Sequence, residues 1–260
     1  MSAAPSRHRR GRVPLARALS KLGLASRAQA LDWIRAGRVA IDGRVVTDAA
    51  LMVVPESVRV TIDGVAQRVG KPAPRLIAFH KPRSTVTTTR DPQGRRTVFD
   101  VLGDAGRGLR AVGRLDYAST GLLLLTNDPA LADALTDPRH RVVRRYVVTV
   151  RGRVSDEMAR RLETGIDARA AAGGTERLQA ATVTIRKTSN RETHLVVELT
   201  EGRNREIRRL FDATGHEVTR LHRITYGKFE LGDLRPGDWR EERGEGVGGR
   251  GRSRVGAGSE

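Results

Sequence analysis

Leu15, Leu19 and Leu22 recur at helical spacing between Pro14, suited to a first helical turn, and Gly23, a stop. Ser26 then predicts the cap of a second helix in SRAQALDWIRAG, where Ala30, Leu31 and Ile34 form one face and Gly37 ends the run. Beyond it the period shortens. RVAIDGRVV and VRVTIDGVA each place Asp-Gly between β-rich flanks, the strongest short-range hairpin signal. Residues 13–70 therefore read as a small domain in which two helices lead into short strands, and Pro72 and Pro74 make residues 71–75 a stiff linker.

From residue 76 to 240 strand and helix patterns alternate. RLIAFHKP is a β-like run ended by Pro82, and STVTTTRDPQGRRTVFDVL continues through Thr and Val to a turn at residues 91–94. GLLLLTND reads as a buried strand, with Asn127 or Asp128 capping a helix that starts at Pro129. Further strands fall in RRYVVTVRG, LQAATVTIRK, THLVVELTEG and HRITYGKFEL, and helices in SDEMARRLETG and NREIRRLFDATG. The predicted class is α+β and dominated by β. Residues 1–12 and 241–260 are polar and rich in Gly and Arg, with too little apolar surface to offset the entropy of ordering, and are expected to be disordered.

Charge sharpens this outline. Lys and Arg number 48 against 30 acids, a formal +18, which predicts a polyanionic partner and binding that weakens with salt. Only four of those positive charges lie in residues 1–12 and residues 241–260 are neutral in balance, so the folded part is itself basic. Arg17, Lys21, Arg27, Arg35 and Arg38 are spaced to share a surface across the first two helices, although a solvated polar face accounts for any one of them alone. Aromatic residues are 3% of the chain, which favours recognition of RNA shape and phosphate over base stacking on a sheet. There is no cysteine, which excludes disulfides, thiolate metal sites and Cys catalysis, and no metal or cofactor is expected. The longest apolar run, residues 121–125, is too short to cross a bilayer, and the reading is a soluble cytoplasmic monomer.

The candidate chemistry centres on Asp116 in GRLDYASTGLLLLTND. Gly113 permits unusual backbone, Arg114 supplies charge, and the apolar run anchors the loop to the core. Such a carboxylate can serve as nucleophile or base, and equally as an ordinary turn Asp. In EGRNREIRRLFDATGH, Ile207, Leu210 and Phe211 must face a core, which turns Arg205 and Arg208 toward flanks from which an Arg can reach inward. A structural salt bridge or a phosphate contact fits Arg208 equally well. Tyr146, on a predicted strand, is either a core residue or a platform for a base. Lys81 and Arg83 are either RNA contacts or an exposed loop pair, and Arg114, Arg203 and Arg205 complete the candidate RNA contacts.

In order, these stretches resemble a family. Residues 13–69 resemble the small RNA-binding domain named after a small-subunit ribosomal protein, of the αL type. GRLDYASTGLLLLTND, RRYVVTV and EGRNREIRRLFDATGHEVTRLHRITYG resemble the bacterial ribosomal-RNA pseudouridine synthases, and EGRNREIRRL looks more like the large-subunit branch. The resemblance implies a mixed, mainly antiparallel catalytic sheet with flanking helices. It also implies Asp116 as the catalytic aspartate on a flipped-out uridine, Tyr146 against the uracil, and Arg208 paired with Asp116 to keep it charged. The substrate would be ribosomal RNA, large-subunit favoured, either naked or within a pre-ribosomal particle. His80, Ser84 and Pro129 depart from the family's Asn, Gly and Gly, and the first two put site selectivity in question. Two other readings stay open: a non-catalytic ribosomal-RNA-binding assembly factor, and a hydrolase releasing uracil. The hydrolase would want a second carboxylate that is not found near Asp116 in sequence.

Overall fold

The computed structural model describes residues 11–67, 73–242 and 255–256, so most of both expected tails, and residues 71–72 of the expected linker, lie outside the described residues. The chain divides into two compact units, Met1–Ala73 and Pro74–Glu260.

The first unit runs β1 (Val13–Pro14), α1 (Leu15–Lys21), α2 (Arg27–Arg35), β2 (Val39–Ile41), β3 (Arg44–Val45), β4 (Met52–Val53), β5 (Val60–Ile62) and β6 (Val65–Ala66). Ser26 caps α2 by accepting from the Gln29 amide at 3.2 Å. Leu15, Leu19, Ala30 and Ile34 are fully buried, and with Val39 and Val60 they form the core of this unit. Both Asp-Gly pairs make hairpins, β2–β3 and β5–β6. Asp42 and Gly43, like Asp63 and Gly64, have positive φ at both positions, the turn whose twist matches paired strands.

The second unit comprises β7 (Leu76–Lys81), α3 (Val98–Leu102), β8 (Arg110–Val112), β9 (Thr120–Thr126), α4 (Pro129–Thr136), β10 (Arg144–Arg151), α5 (Asp156–Thr164), β11 (Ile166–Arg169), β12 (Thr175–Leu178), β13 (Thr182–Thr188), β14 (Glu192–Leu199), α6 (Glu206–Asp212), β15 (Val218–Tyr226), β16 (Phe229–Glu230), β17 (Trp239–Glu242) and β18 (Val255–Gly256). Its main sheet has the order β13-β14-β10-β15-β9-β7-β17-β18, with β8 added on β9 and β16 on β15. Every pairing in it is antiparallel except β9 with β15.

The sheet is covered on both faces. Ile77 and Phe79 of β7 and Leu123 and Leu125 of β9 join one core with α3, α5 and α6, while Leu76, Ala78, Leu122 and Leu124 join a second core with α4. This explains the unbroken Leu122–Leu125 run, since a strand buried on both sides needs no polar alternation. Asp128 caps α4 through the amides of Ala130 and Leu131.

Three sequence expectations change here. The Thr- and Val-rich segment after Pro82 makes a single bridge, Val86 with Thr97, in place of a strand. Residues 98–102, read as part of that run, form α3, because Thr97 and Asp100 close a reciprocal capping box. The boundary set at residue 240 falls inside β17, which pairs with β7 and β18. Among the described residues no helix is long and apolar enough to cross a membrane.

Candidate active site

One close approach sets the site. At the parallel junction of β9 and β15, Gly121 lies opposite Arg223 with φ +103°, and a Cβ placed there would meet the Arg223 carbonyl oxygen at 2.2 Å. Only glycine admits this contact, which brings the loop before β9 against the middle of β15. That loop, residues 113–119, is pinned from three directions. Thr87 Oγ1 donates to the Leu115 carbonyl at 2.8 Å and accepts from the Leu115 amide at 3.3 Å. The Ser84 amide donates to the Tyr117 carbonyl at 2.9 Å, and Lys81 Nζ donates to the Ser119 carbonyl at 2.9 Å. Ser84 adopts φ +60°, the left-handed region that favours glycine, so its role here is one of backbone conformation.

Asp116 sits inside this clamp. Its Oδ2 faces Arg205 Nη1 at 3.5 Å and Arg208 Nε at 3.7 Å, both from the start of α6. Arg205 immediately precedes the helix with φ +47°, so a left-handed residue forms the turn from which its guanidinium reaches Asp116. The Arg208 side chain is 16% exposed against 54% for Arg205, and Arg208 also donates from Nη1 to the Val218 carbonyl at 2.8 Å. Burial lowers the Arg208 pKa, as do Arg205 and Arg83 nearby, while Asp116 opposes that shift. Arg208 Nε is buried and makes no hydrogen bond; at 3.7 Å its interaction with Asp116 is that of an ion pair.

A cleft of about 260 Å³ opens beside Asp116, with Tyr146, Leu221, Arg223, Arg144 and Tyr226 on its walls. Tyr146 on β10 is 7% exposed, and Arg223 Nη1 donates to its hydroxyl at 3.4 Å. Arg223 is itself 2% exposed, with Nε donating to the Leu122 carbonyl at 2.7 Å, the guanidinium 4.9 Å from the Tyr226 ring centre and Nη2 left without a partner. Arg144 Nη2 donates to the Tyr226 hydroxyl at 3.0 Å. Two carboxyls also line the cleft, Glu201 and Glu206. Burial raises Glu206 to about 7, with neighbouring Glu201 adding to the rise and the Arg203 amide opposing it.

The residues singled out in the sequence fall into three groups. Asp116, Tyr146, Arg114, Arg203 and Arg205 line one cleft, and Arg208 meets Asp116 from α6. Arg203 is nevertheless committed within the fold, to Glu176 at 3.1 Å and Glu201 at 3.0 Å. Arg83 is exposed. Lys81 is a correction: it is fully buried, so it is not a surface contact for RNA. The last residue of a central strand, it turns its ammonium onto the Pro82 and Ser119 carbonyls, and burial lowers it to about 8 against the opposing pull of Asp116. On the first unit Arg17, Lys21, Arg27 and Arg35 are exposed, whereas Arg38 is paired with Asp63 at 2.5 Å and lies 5.4 Å from the Trp33 ring centre.

Arg144, Arg223, Glu201 and Glu206 were not picked out from the sequence. The available signal was a charge at an inward position. Arg223 follows Leu221 by two residues on a strand, and Glu206 precedes Ile207 at the buried start of α6. Among the described residues no three His, Asp or Glu side chains gather as a metal site.

Comparison with known proteins gives the family. The family model described as RNA pseudouridylate synthase matches residues 75–213, and that of the S4 domain matches residues 13–58. The chain is 35% identical over 229 residues to ribosomal large subunit pseudouridine synthase B of Bacillus subtilis (strain 168), covering 87% of this chain and 91% of the relative. It is 39% identical over 235 residues to the protein of the same name in Escherichia coli (strain K12), covering 87% and 78%. A crystal structure described as pseudouridylate synthase shares the fold with a TM-score of 0.61 at 24% identity, over 89% of this chain and 96% of that one. The chain thus belongs to the RNA pseudouridylate synthase family, with an S4 domain in its N-terminal unit.

Proposed function

We propose that this chain isomerises a uridine of large-subunit ribosomal RNA to pseudouridine, acting as a cytoplasmic monomer with Asp116 as the reacting carboxylate. The observation that carries the reading is one carboxylate, 27% exposed and met by two guanidinium groups, at the edge of a cleft that also holds the buried Tyr146. The large-subunit assignment is supported by the names of the relatives.

The reaction breaks the bond between C1′ and N1, turns the base and joins C1′ to C5; the hydrogen lost from C5 is balanced by one gained at N1. No external acceptor enters. Asp116 either attacks the nucleotide or starts its proton transfers, and in both cases the guanidinium groups of Arg205 and Arg208 orient the carboxylate oxygen and balance its charge. Tyr146 lies against the uracil and takes the C5 proton, with Arg223 fixing where the phenol oxygen points. The uridine must leave its stack to enter the cleft. The exposed cations of the first unit supply phosphate contacts that offset the unstacking.

Incubating the protein with transcribed large-subunit RNA and mapping pseudouridine, with Asp116→Asn as control, tests this. The expected result is a new modified position with the parent protein alone and no free uracil. Absence of any new position refutes the synthase reading and leaves an RNA-binding assembly factor. Released uracil favours a hydrolase, for which Glu201 and Glu206 in the cleft would be the second carboxylate to examine.

A further inference from the structure

Of the nine Phe, Trp and Tyr residues in the chain, Tyr117 is the only one exposed among the described residues, at 45%, and it directly follows Asp116. A large ring left in water beside a reacting carboxylate needs an account. Tyr117 lines a second cleft of about 450 Å³, whose wall also carries Arg90, Arg95, Arg114, Arg205 and Asp116. Asp116 and Arg205 are shared with the rim of the first cleft, so the two are contiguous.

The ring is held in place. The Tyr117 carbonyl accepts from the Ser84 amide at 2.9 Å, and the Arg95 guanidinium lies 6.0 Å from the ring centre. Arg95 is in turn locked to Asp91, with Nε and Nη2 donating to its two oxygens at 3.0 and 2.8 Å. The carboxylates of this cleft are therefore each engaged by Arg, while Arg90 and Arg114 remain exposed beside the ring. An exposed π-face among cations is the surface that a nucleotide takes, with the base on the ring and the phosphates toward the guanidinium groups.

We propose that Tyr117 is the stacking platform for a base that flanks the target uridine, so that one nucleotide enters the Asp116 cleft while its neighbour is held on the ring. The assignment rests on the synthase reading above and adds to it a second nucleotide subsite that holds the neighbouring base by stacking. Tyr117 binds and positions; it takes no part in bond making.

On transcribed large-subunit RNA, Tyr117→Ala is expected to raise KM about tenfold with kcat within about twofold of the parent, and Tyr117→Phe to behave as the parent. On a short stem-loop around the mapped uridine, an abasic site at one flanking position should cost the parent the same factor and cost Tyr117→Ala nothing further. Three results would overturn the proposal: additive losses at every flanking position, a fall in kcat at unchanged KM, or a Tyr117→Phe protein as impaired as Tyr117→Ala. Equilibrium binding of oligouridylate, which needs no turnover, separates this proposal from the reading beneath it. If the parent isomerises nothing yet binds about tenfold more tightly than Tyr117→Ala, the platform stands and the synthase reading falls. Equal affinities sink the platform alone.

Discussion

Arg17, Lys21, Arg27 and Arg35 stand exposed on the two short helices of the first unit, whereas Lys81, Arg144 and Arg223 of the second are 0%, 5% and 2% exposed. The first kind of charge stays hydrated and attracts a polyanion at a distance, with a strength that salt screens. The second kind has given up water and must be satisfied by fixed acceptors. Lys81 holds two carbonyls, Arg144 two carbonyls and a phenol, and Arg223 one carbonyl and a phenol. Buried cations are therefore part of the geometry of the cleft, and exposed ones part of its affinity. Salt should accordingly raise KM steeply while leaving kcat nearly unchanged.

Removing the anion at the centre of the fixed set is the severest way to separate the two. Asp116→Asn should lower kcat by about 10³-fold or more while RNA affinity stays within about twofold, measured by tritium release from labelled uridine and by filter binding. A parallel loss of affinity would mean that Asp116 belongs to the binding surface. The next largest effect concerns its two partners, which lie at nearly equal distance from one oxygen and differ in burial. Because solvent weakens the more exposed pair, Arg208→Met should reduce kcat about a hundredfold and Arg205→Met only about tenfold. Equal losses would show that burial does not set the strength of these pairs. On the exposed side, replacing Arg17, Lys21, Arg27 and Arg35 together by Gln should weaken RNA binding about tenfold with kcat unaltered. It should also flatten the slope of log affinity against log salt by roughly three. An unchanged slope would place the RNA on a different face.

Much of this division was legible in the sequence. The helical Leu spacing, the two Asp-Gly hairpins and the Leu run all appear where their periodicity places them, because each is decided by neighbours within a few residues. Asp116, Tyr146 and Arg208 are candidates through the order of their motifs and not through any local property, since nothing within the loop says that α6 will meet it. What could not be read is long-range in the same sense. Lys81 looked like a loop cation because Pro82 follows it, and only the pairing of β7 between β9 and β17 shows that its side chain is enclosed. Ser84 looked like a change in substrate contact, and its positive φ makes it a change in backbone. The Thr-rich stretch makes only the Val86–Thr97 bridge, and Thr87 in it uses its hydroxyl to hold the Leu115 loop.

Glu206 provides the gentlest test of the contrast, because it is an acid held by the same burial that fixes the cations. It is 3% exposed, its Oε2 accepts from the Arg203 amide at 3.0 Å, and its Oε1 has no partner. Its pKa rises from 4.5 to about 7, so between those values the folded chain binds a proton that the unfolded chain has released. The stabilisation from this group is therefore complete below pH 4.5, declines as pH rises, and is lost above about 7. His222 works in the opposite sense. Burial, then His80 and Arg220, lowers it to about 4, so protonation costs stability as pH falls from 6.5 toward 4. Glu206→Gln keeps an acceptor for the Arg203 amide and has no proton to lose. In urea melts it should match the parent near pH 4 and exceed it by about 1–2 kcal/mol at pH 8. The His222 effect, no longer opposed, should then make the variant's stability climb more steeply than the parent's from pH 4 to 7. A difference between the two proteins that does not change with pH would mean that Glu206 is ionised throughout, and that the unpartnered oxygen has found water or a cation.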